Sequence, residues 1–359
     1  SLGKSFLWEK INAAEQQHFY DDHPGYGSIM PLGTDPLTDG ELKFILHWIL
    51  EGAPEHGTVA RVSDLADTQR YSPPPFKALD KPKNGIQLHV EPFDVPPNFE
   101  REFFMYKNLN NRSPIYVNRV QIEMRPGSHH FIGYLLDSSR PLFSLAKRLF
   151  VPNRIRDLHL PNGDDDPLVL ASMNYHNFFA GTQTPRFDYE FPKGVALRLP
   201  ANTGLDLNTH YVNRGEEAFE GEVYMNLHTI EKADVEHEAK IINFNNTDIE
   251  LPPNKITTLT RDFRATEKMN IFQLFSHSHE KTVEFRVEIA GGNRDGELLY
   301  ISYDWEHPPV MKFDPPLVVK RGETIRLKAT YDNWTDETVT FGLRSTDEMM
   351  ILFGAYYAD

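Results

Sequence analysis

The stretch Thr282-Val283-Glu284-Phe285-Arg286-Val287-Glu288-Ile289 places an apolar side chain at every second position. Successive side chains of a β-strand leave opposite faces, so this pattern describes a strand with one face against a core and the other in water. Tyr116-Val117-Asn118-Arg119-Val120-Gln121-Ile122 repeats it, and similar β-branched and aromatic segments recur at 195–199, 220–228, 323–331 and 338–343, punctuated by Pro, Gly and Asn. No helices alternate with these segments, which excludes a parallel α/β sheet and predicts antiparallel β-sandwiches of jelly-roll type. The expected fold is mainly β. A gap in the alternation from Lys232 to Glu238 divides it into two successive jelly-roll domains, 85–232 and 233–359.

Upstream the period changes. Leu42, Ile45, Leu46, Ile49 and Leu50 recur at helical spacing, with Thr38 or Asp39 as N-cap and Gly52 to Pro54 as the stop. Phe6-Leu7-Trp8 and Ile11 fit one face of an earlier helix, so residues 1–60 read as a small α-helical segment. Ser72-Pro73-Pro74-Pro75 marks 61–84 as a stiff Pro-rich linker.

Composition removes several functions. With 37 basic against 52 acidic residues, the net charge of -15 leaves no basic stripe for a nucleic acid. There are no cysteines, hence no disulfide, thiolate ligand or cysteine nucleophile. No run approaches the roughly 18 apolar residues of a membrane helix, so no membrane span is expected. Nucleophile elbow, Walker loop and dinucleotide fingerprint are all absent. The chain begins at Ser1 without methionine, which suggests a processed or truncated product whose signal peptide is gone.

What remains is a set of metal-ligating side chains. His277 and His279 are two apart, so on a strand both imidazoles leave the same face and can close on one ion. His129 and His130 are neighbours and would diverge on a regular strand, but Arg125-Pro126-Gly127 just before them supplies a backbone irregularity. His210 and Met349 complete the set, and a thioether beside two imidazoles is a soft combination suited to cuprous copper. Other assignments stay open on residue type alone: His277, His279 and Glu280 as a two-His-one-carboxylate iron site, or His129, His130 and His210 as a zinc site. Met350, His176 and His228 read as structural.

In order, Gly127-Ser128-His129-His130-Phe131-Ile132-Gly133-Tyr134, Asn208-Thr209-His210-Tyr211, Phe275-Ser276-His277-Ser278-His279 and Ser345-Thr346-Asp347-Glu348-Met349-Met350 resemble the copper type II, ascorbate-dependent monooxygenases. The resemblance covers about residues 85–359 and rests on four motifs in order over roughly 220 residues. It implies two copper ions per chain. His129, His130 and His210 would hold the one that passes an electron, and His277, His279 and Met349 the one where dioxygen is activated. It also implies a cleft between the two jelly rolls, hydroxylation of a substrate C–H bond, an external donor such as ascorbate or a cytochrome, and export to the periplasm or extracellular space. The lack of cysteine fits a bacterial member.

The same comparison separates this chain from the peptide-amidating members. Those grip a terminal carboxylate with an arginine two residues before the H-x-H motif, and with an asparagine and a tyrosine two and four residues after the methionine. Here the positions are Phe275, Ile351 and Phe353. A carboxylate buried against them would lack a partner, at a cost of at least about 1–3 kcal/mol, so the expected substrate is apolar or aromatic and peptide amidation is excluded. Residual alternatives are a copper-binding electron-transfer protein and a double jelly-roll binding module.

The N-terminal segment is similar to the last half of a bacterial c-type cytochrome domain through Met30-Pro31, Leu37-Thr38-Asp39-Gly40-Glu41 and Trp48-Ile49-Leu50-Glu51-Gly52-Ala53-Pro54. The C-x-x-C-H attachment motif is missing, so no covalent haem is expected in this chain. An electron-donor protein, or a haem domain upstream, is the expected partner.

Overall fold

The computed structural model describes residues 5–13, 30–31, 34–72, 76–182, 185–213, 215–303, 305, 308–342 and 346–358. Residues 14–29 of the helical segment, Pro73 to Pro75 of the proline run, and Ser345 of the last motif lie outside them.

Helix α1 spans Phe6–Ile11 and α2 spans Asp39–Leu50. The start of α2 is a capping box: Thr38 Oγ1 accepts the Glu41 N–H at 3.1 Å and the Glu41 carboxylate accepts the Thr38 N–H at 2.7 Å, satisfying two donors that a helix start leaves open. Both described ends of the expected linker 61–84 are packed. A 3-10 turn at Val62–Ala66 lies on α2, where a Cβ at Gly40 would sit 2.2 Å from the Asp64 carbonyl oxygen. Ion pairs Lys43–Asp67 at 2.6 Å and His47–Asp64 at 2.9 Å join the two elements. At the other end Gln87 Nε2 donates to the Leu79 carbonyl, Asn226 Nδ2 donates to the Asp80 carbonyl, and the Arg125 guanidinium lies over the Phe76 ring at 4.9 Å. Acidic and aromatic residues on either side of the proline run found partners.

The rest of the chain is two jelly-roll sandwiches. The first holds β1 (Gly85–Val95), β2 (Phe99–Asn108), β3 (Ile115–Met124), β4 (Ser128–Leu136), β5 (Ile155–Asp157), β6 (His176–Thr182), β7 (Arg186–Glu190), β8 (Val195–Leu199), β9 (Gly204–Asn213) and β10 (Phe219–Ile230). The second holds β11 (His237–Asn245), β12 (Glu250–Leu251), β13 (Lys255–Arg264), β14 (Met269–His277), β15 (Thr282–Ala290), β16 (Leu298–Ser302), β17 (Met311–Val319), β18 (Thr324–Asn333), β19 (Val339–Thr340) and β20 (Ile351–Tyr357).

A nine-stranded sheet, in the order β1-β10-β3-β8-β11-β20-β14-β17 with β7 added beside β3, runs through both units. The five-stranded sheet β5-β2-β9-β4-β6 covers its first half and the four-stranded sheet β13-β18-β15-β16 its second. The joint is a parallel pairing of β8 with β11, from Val195 beside His237 to Leu197 beside Ala239. The connector at Lys232–Asp234 therefore separates the units along the chain while main-chain hydrogen bonds join them in space. Phe103, Phe131, Leu205 and Tyr211 fill the first core, Phe285, Val287, Leu327 and Tyr331 the second. Phe272 and Ala355, from the second unit, pack into the first core, and the Tyr189 hydroxyl donates to the Phe272 carbonyl at 3.0 Å.

Two short helices in the first unit, α3 (Phe143–Ala146) and α4 (Pro167–Met173), belong to the long excursion between β4 and β6. Leu158 and Val169 from this excursion bury Phe104 on the outer face of the five-stranded sheet. No described helix is long and apolar enough to cross a membrane.

Candidate metal centre

Strand register assembles the first site. β9 lies between β2 and β4, with His210 opposite Glu102 on one side and His130 on the other. Between Ser128 and His130 the β4–β9 ladder slips by one residue, and His129 is the extra residue. Such a bulge re-aims a side chain that a regular strand would send to the opposite face. His129 thus joins His130 and His210, two residues after the irregularity expected at 125–127, and ligand-capable atoms of all three lie within 4.8 Å of one another. The His129 ring stacks on the His210 ring at 4.8 Å and 10°.

Their hydrogen bonds fix the tautomers. Asn208 Nδ2 donates to Glu102 Oε1 at 2.9 Å, which turns Asn208 Oδ1 toward His130 Nε2 at 2.6 Å; that nitrogen must carry the proton. His210 Nε2 donates to the Glu100 carboxylate at 2.7 Å. Both Nδ1 atoms are left to face each other, 3.4 Å apart. Two lone pairs so placed need a shared proton or a cation between them. An ion with tetrahedral bonds of about 2.0–2.1 Å to nitrogen separates its donors by about 3.3–3.4 Å, so the residues fit a transition-metal ion. Burial opposes charge on His210, but the hydrogen bond to Glu100 and the charges of Glu102 and Glu100 prevail and raise its pKa.

The second site comes from the end of β14 and the turn before β20. The His277 and His279 rings are 5.3 Å apart and perpendicular. His279 Nδ1 donates to the Asp347 carbonyl at 3.1 Å, leaving Nε2 as the free donor atom and orienting the ring. Glu348, fully buried, accepts main-chain N–H groups of His279, Lys281 and Met349 at 3.1, 2.7 and 3.2 Å. Burial pushes its carboxyl up to about 7, against the pull of those N–H groups. Burial, followed by the neighbouring His279 and His130 rings, pushes His277 down to about 3, so it is a neutral imidazole at any ordinary pH. Met349 lines the cavity, whereas Met350 is fully buried in the second core with its sulfur facing Asn246 Nδ2 at 3.5 Å.

His129, His130, His210, His277, His279 and Met349 all line one cavity of about 2190 Å³ between the two units. Phe275, Ile351 and Phe353 line it as well, because Phe275 pairs with Phe353 and His277 with Ile351 across the β14–β20 ladder, on one face. Sequence reasoning missed Phe178, whose ring stacks on Phe353 at 4.4 Å and meets Phe275 at 5.6 Å from the opposite unit. Adjacent Phe178 and Phe179 give no period-two signal to say which faces the core. Glu280, considered for an iron site, is instead paired with Lys281. His176 is buried against Tyr134 at 4.5 Å with Nε2 on Asp206, and His228 hydrogen-bonds Gln121.

No family model matches the sequence, and no curated protein matches it. Among solved structures, the STIV MCP is similar at 9% identity and TM-score 0.30, over 79% of this chain and 96% of that one. PBCV-1 VP54, fitted into a reconstruction of the virophage Sputnik, is similar at 6% identity and TM-score 0.24, over 78% and 95%. The PBSX exported protein XepA is similar at 7% identity and TM-score 0.21, over 91% and 99%. At these scores none bears on activity.

Proposed function

We propose that the chain is a two-copper monooxygenase that hydroxylates a C–H bond of an apolar or aromatic small molecule with dioxygen and an external reductant such as ascorbate or a cytochrome. The reading is carried by one observation: an all-imidazole set and an imidazole–thioether set, of different softness, open into a single cavity. His129, His130 and His210 would hold one ion, His277, His279 and Met349 the other. When bound, the copper pair supplies one-electron chemistry and activation of dioxygen. The protein's own part is positional. Asn208 and Glu100 hold the His130 and His210 tautomers with Nδ1 aimed inward, and the Asp347 carbonyl does the same for His279 Nε2. Phe178, Phe275 and Phe353 form an aromatic wall that excludes water and orients an apolar substrate.

The test is copper content after reconstitution, followed by oxygen uptake coupled to hydroxylated product in a screen of apolar C–H compounds. Two coppers per chain with coupled turnover supports the reading. Two coppers without turnover leaves an electron-transfer protein, and no retained copper leaves a double jelly-roll binding module.

A further inference from the structure

Glu102 stands out among the carboxylates of the cavity. It lies on β2 directly opposite His210, which in turn lies opposite His130, so the three side chains form one row across three strands. Neighbours in such a row have Cβ atoms about 4.5–5.5 Å apart. Its Oε1 is 3.7 Å from His130 Nε2 and its Oε2 is 4.0 Å from His210 Nδ1. The side chain is 17% exposed and lines the cavity. Among the described residues no lysine or arginine is paired with it; its hydrogen-bond donor is the neutral Asn208 amide. Burying a carboxylate with no fixed positive charge beside it costs several kcal/mol; its polar neighbours are the Asn208 amide and the His130 and His210 rings, whose Nε2 atoms also face Asn208 and Glu100.

We propose that Glu102 is a fourth donor to the ion held by His129, His130 and His210, making this centre a three-imidazole, one-carboxylate set. The proposal rests on the reading that these histidines hold a metal. An anionic oxygen hardens the donor set and favours a divalent ion, whereas the His277, His279 and Met349 set favours the cuprous state. The two ends of the cavity are thereby biased toward different oxidation states by their ligands.

The experiment compares the full chain with Glu102→Gln, Glu102→Asp and His210→Ala, each loaded with copper(II). It reads copper affinity by competition with a chelator, the paramagnetic resonance spectrum, and thermal stability. The expected result is that Glu102→Gln weakens the three-histidine centre on the order of 10–100-fold and shifts its spectrum toward an all-nitrogen set. Glu102→Asp should keep the mixed nitrogen–oxygen spectrum, which covers the case in which the glutamine variant folds poorly. If copper binding is lost in His210→Ala but Glu102→Gln keeps wild-type affinity and spectrum, Glu102 is not a donor and the metal reading stands. If His210→Ala retains all the copper of the parent, the metal reading and this proposal fall together.

Discussion

The carboxylate of Glu348 accepts the main-chain N–H of His279 at 3.1 Å, and the same oxygen accepts that of Met349 at 3.2 Å. One buried side chain thus ties the strand end that carries two imidazoles to the turn that carries the thioether. Glu348→Ala strips three buried N–H groups of their acceptor, at roughly 1–3 kcal/mol each, and is expected to unfold or severely destabilise the second unit. Glu348→Gln keeps an acceptor and should fold with a lower thermal midpoint, losing copper from the His277, His279 and Met349 site while the three-histidine site still fills. Full retention of both coppers at wild-type affinity in Glu348→Gln would refute the coupling.

Met349 and Met350 are adjacent but face opposite ways. Met349→Ile keeps apolar volume and removes the soft donor, so hydroxylation should fail with little change in stability. Met350→Ala empties a fully buried site and should cost about 2–5 kcal/mol, with copper content unchanged in the folded fraction. Denaturant unfolding and metal analysis of the two variants separate the roles; the reverse pattern would mean the two side chains are assigned the wrong way round.

Asn208 acts on His130 through the ring nitrogen that faces away from the site. Asn208→Leu removes the acceptor that holds this tautomer, and affinity for copper at the three-histidine centre should fall on the order of 10-fold or more. Chelator competition measures it. Unchanged affinity would show that the ring is oriented by packing alone.

Phe178 brings the first unit's aromatic surface against the second unit's Phe275 and Phe353. Phe178→Ala enlarges the apolar end of the cavity. Aromatic substrates or inhibitors found in the screen should then show a raised KM with a smaller effect on kcat, since the residue contributes binding surface rather than a metal ligand. Steady-state kinetics on the loaded enzyme decides it, and an unaltered KM would move the substrate away from this wall.

Glu222 supplies a pH test remote from the metal ligands. Burial raises its carboxyl, but hydrogen bonds from His89 and Arg125, each at 2.8 Å, outweigh that and hold it below its ordinary value of 4.5. A carboxyl depressed in the folded state contributes stability that is complete above the ordinary value and is lost as pH falls through the folded one. Glu222→Gln should therefore flatten the decline in stability below about pH 4.5. An acid-unfolding curve parallel to the wild type would count against the pairing.

The readable parts of this protein were those set by local period. Alternation at 282–289 marked β15 and the spacing of Leu42 to Leu50 marked α2 with Thr38 as its cap, but the two-residue interval did not put His277 and His279 on one strand, because β14 ends at His277 and His279 lies beyond it. Motif order brought Met349 into the set and left Met350 to the core. Local period also has a limit, visible at His129 and His130, where the sequence offered an irregularity at 125–127 but the convergence came from a bulge two residues later, at His129.

Other parts depended on contacts that no local pattern encodes. Glu102 became a neighbour of His210 and His130 because three strands distant in sequence adopted one register, and a slip of a single residue would have turned it to the other face. Phe178 reached Phe353 because β8 pairs with β11 and fuses two sandwiches into one sheet, which sets the walls of the cavity. Sequence by itself determined which residues have the chemistry to ligate a metal and where the strands run, since residue chemistry and side-chain period are local properties. Tertiary structure alone decided which carboxylate, amide and aromatic rings surround those ligands, because such neighbours are chosen by strand register and by the packing of one unit on the other.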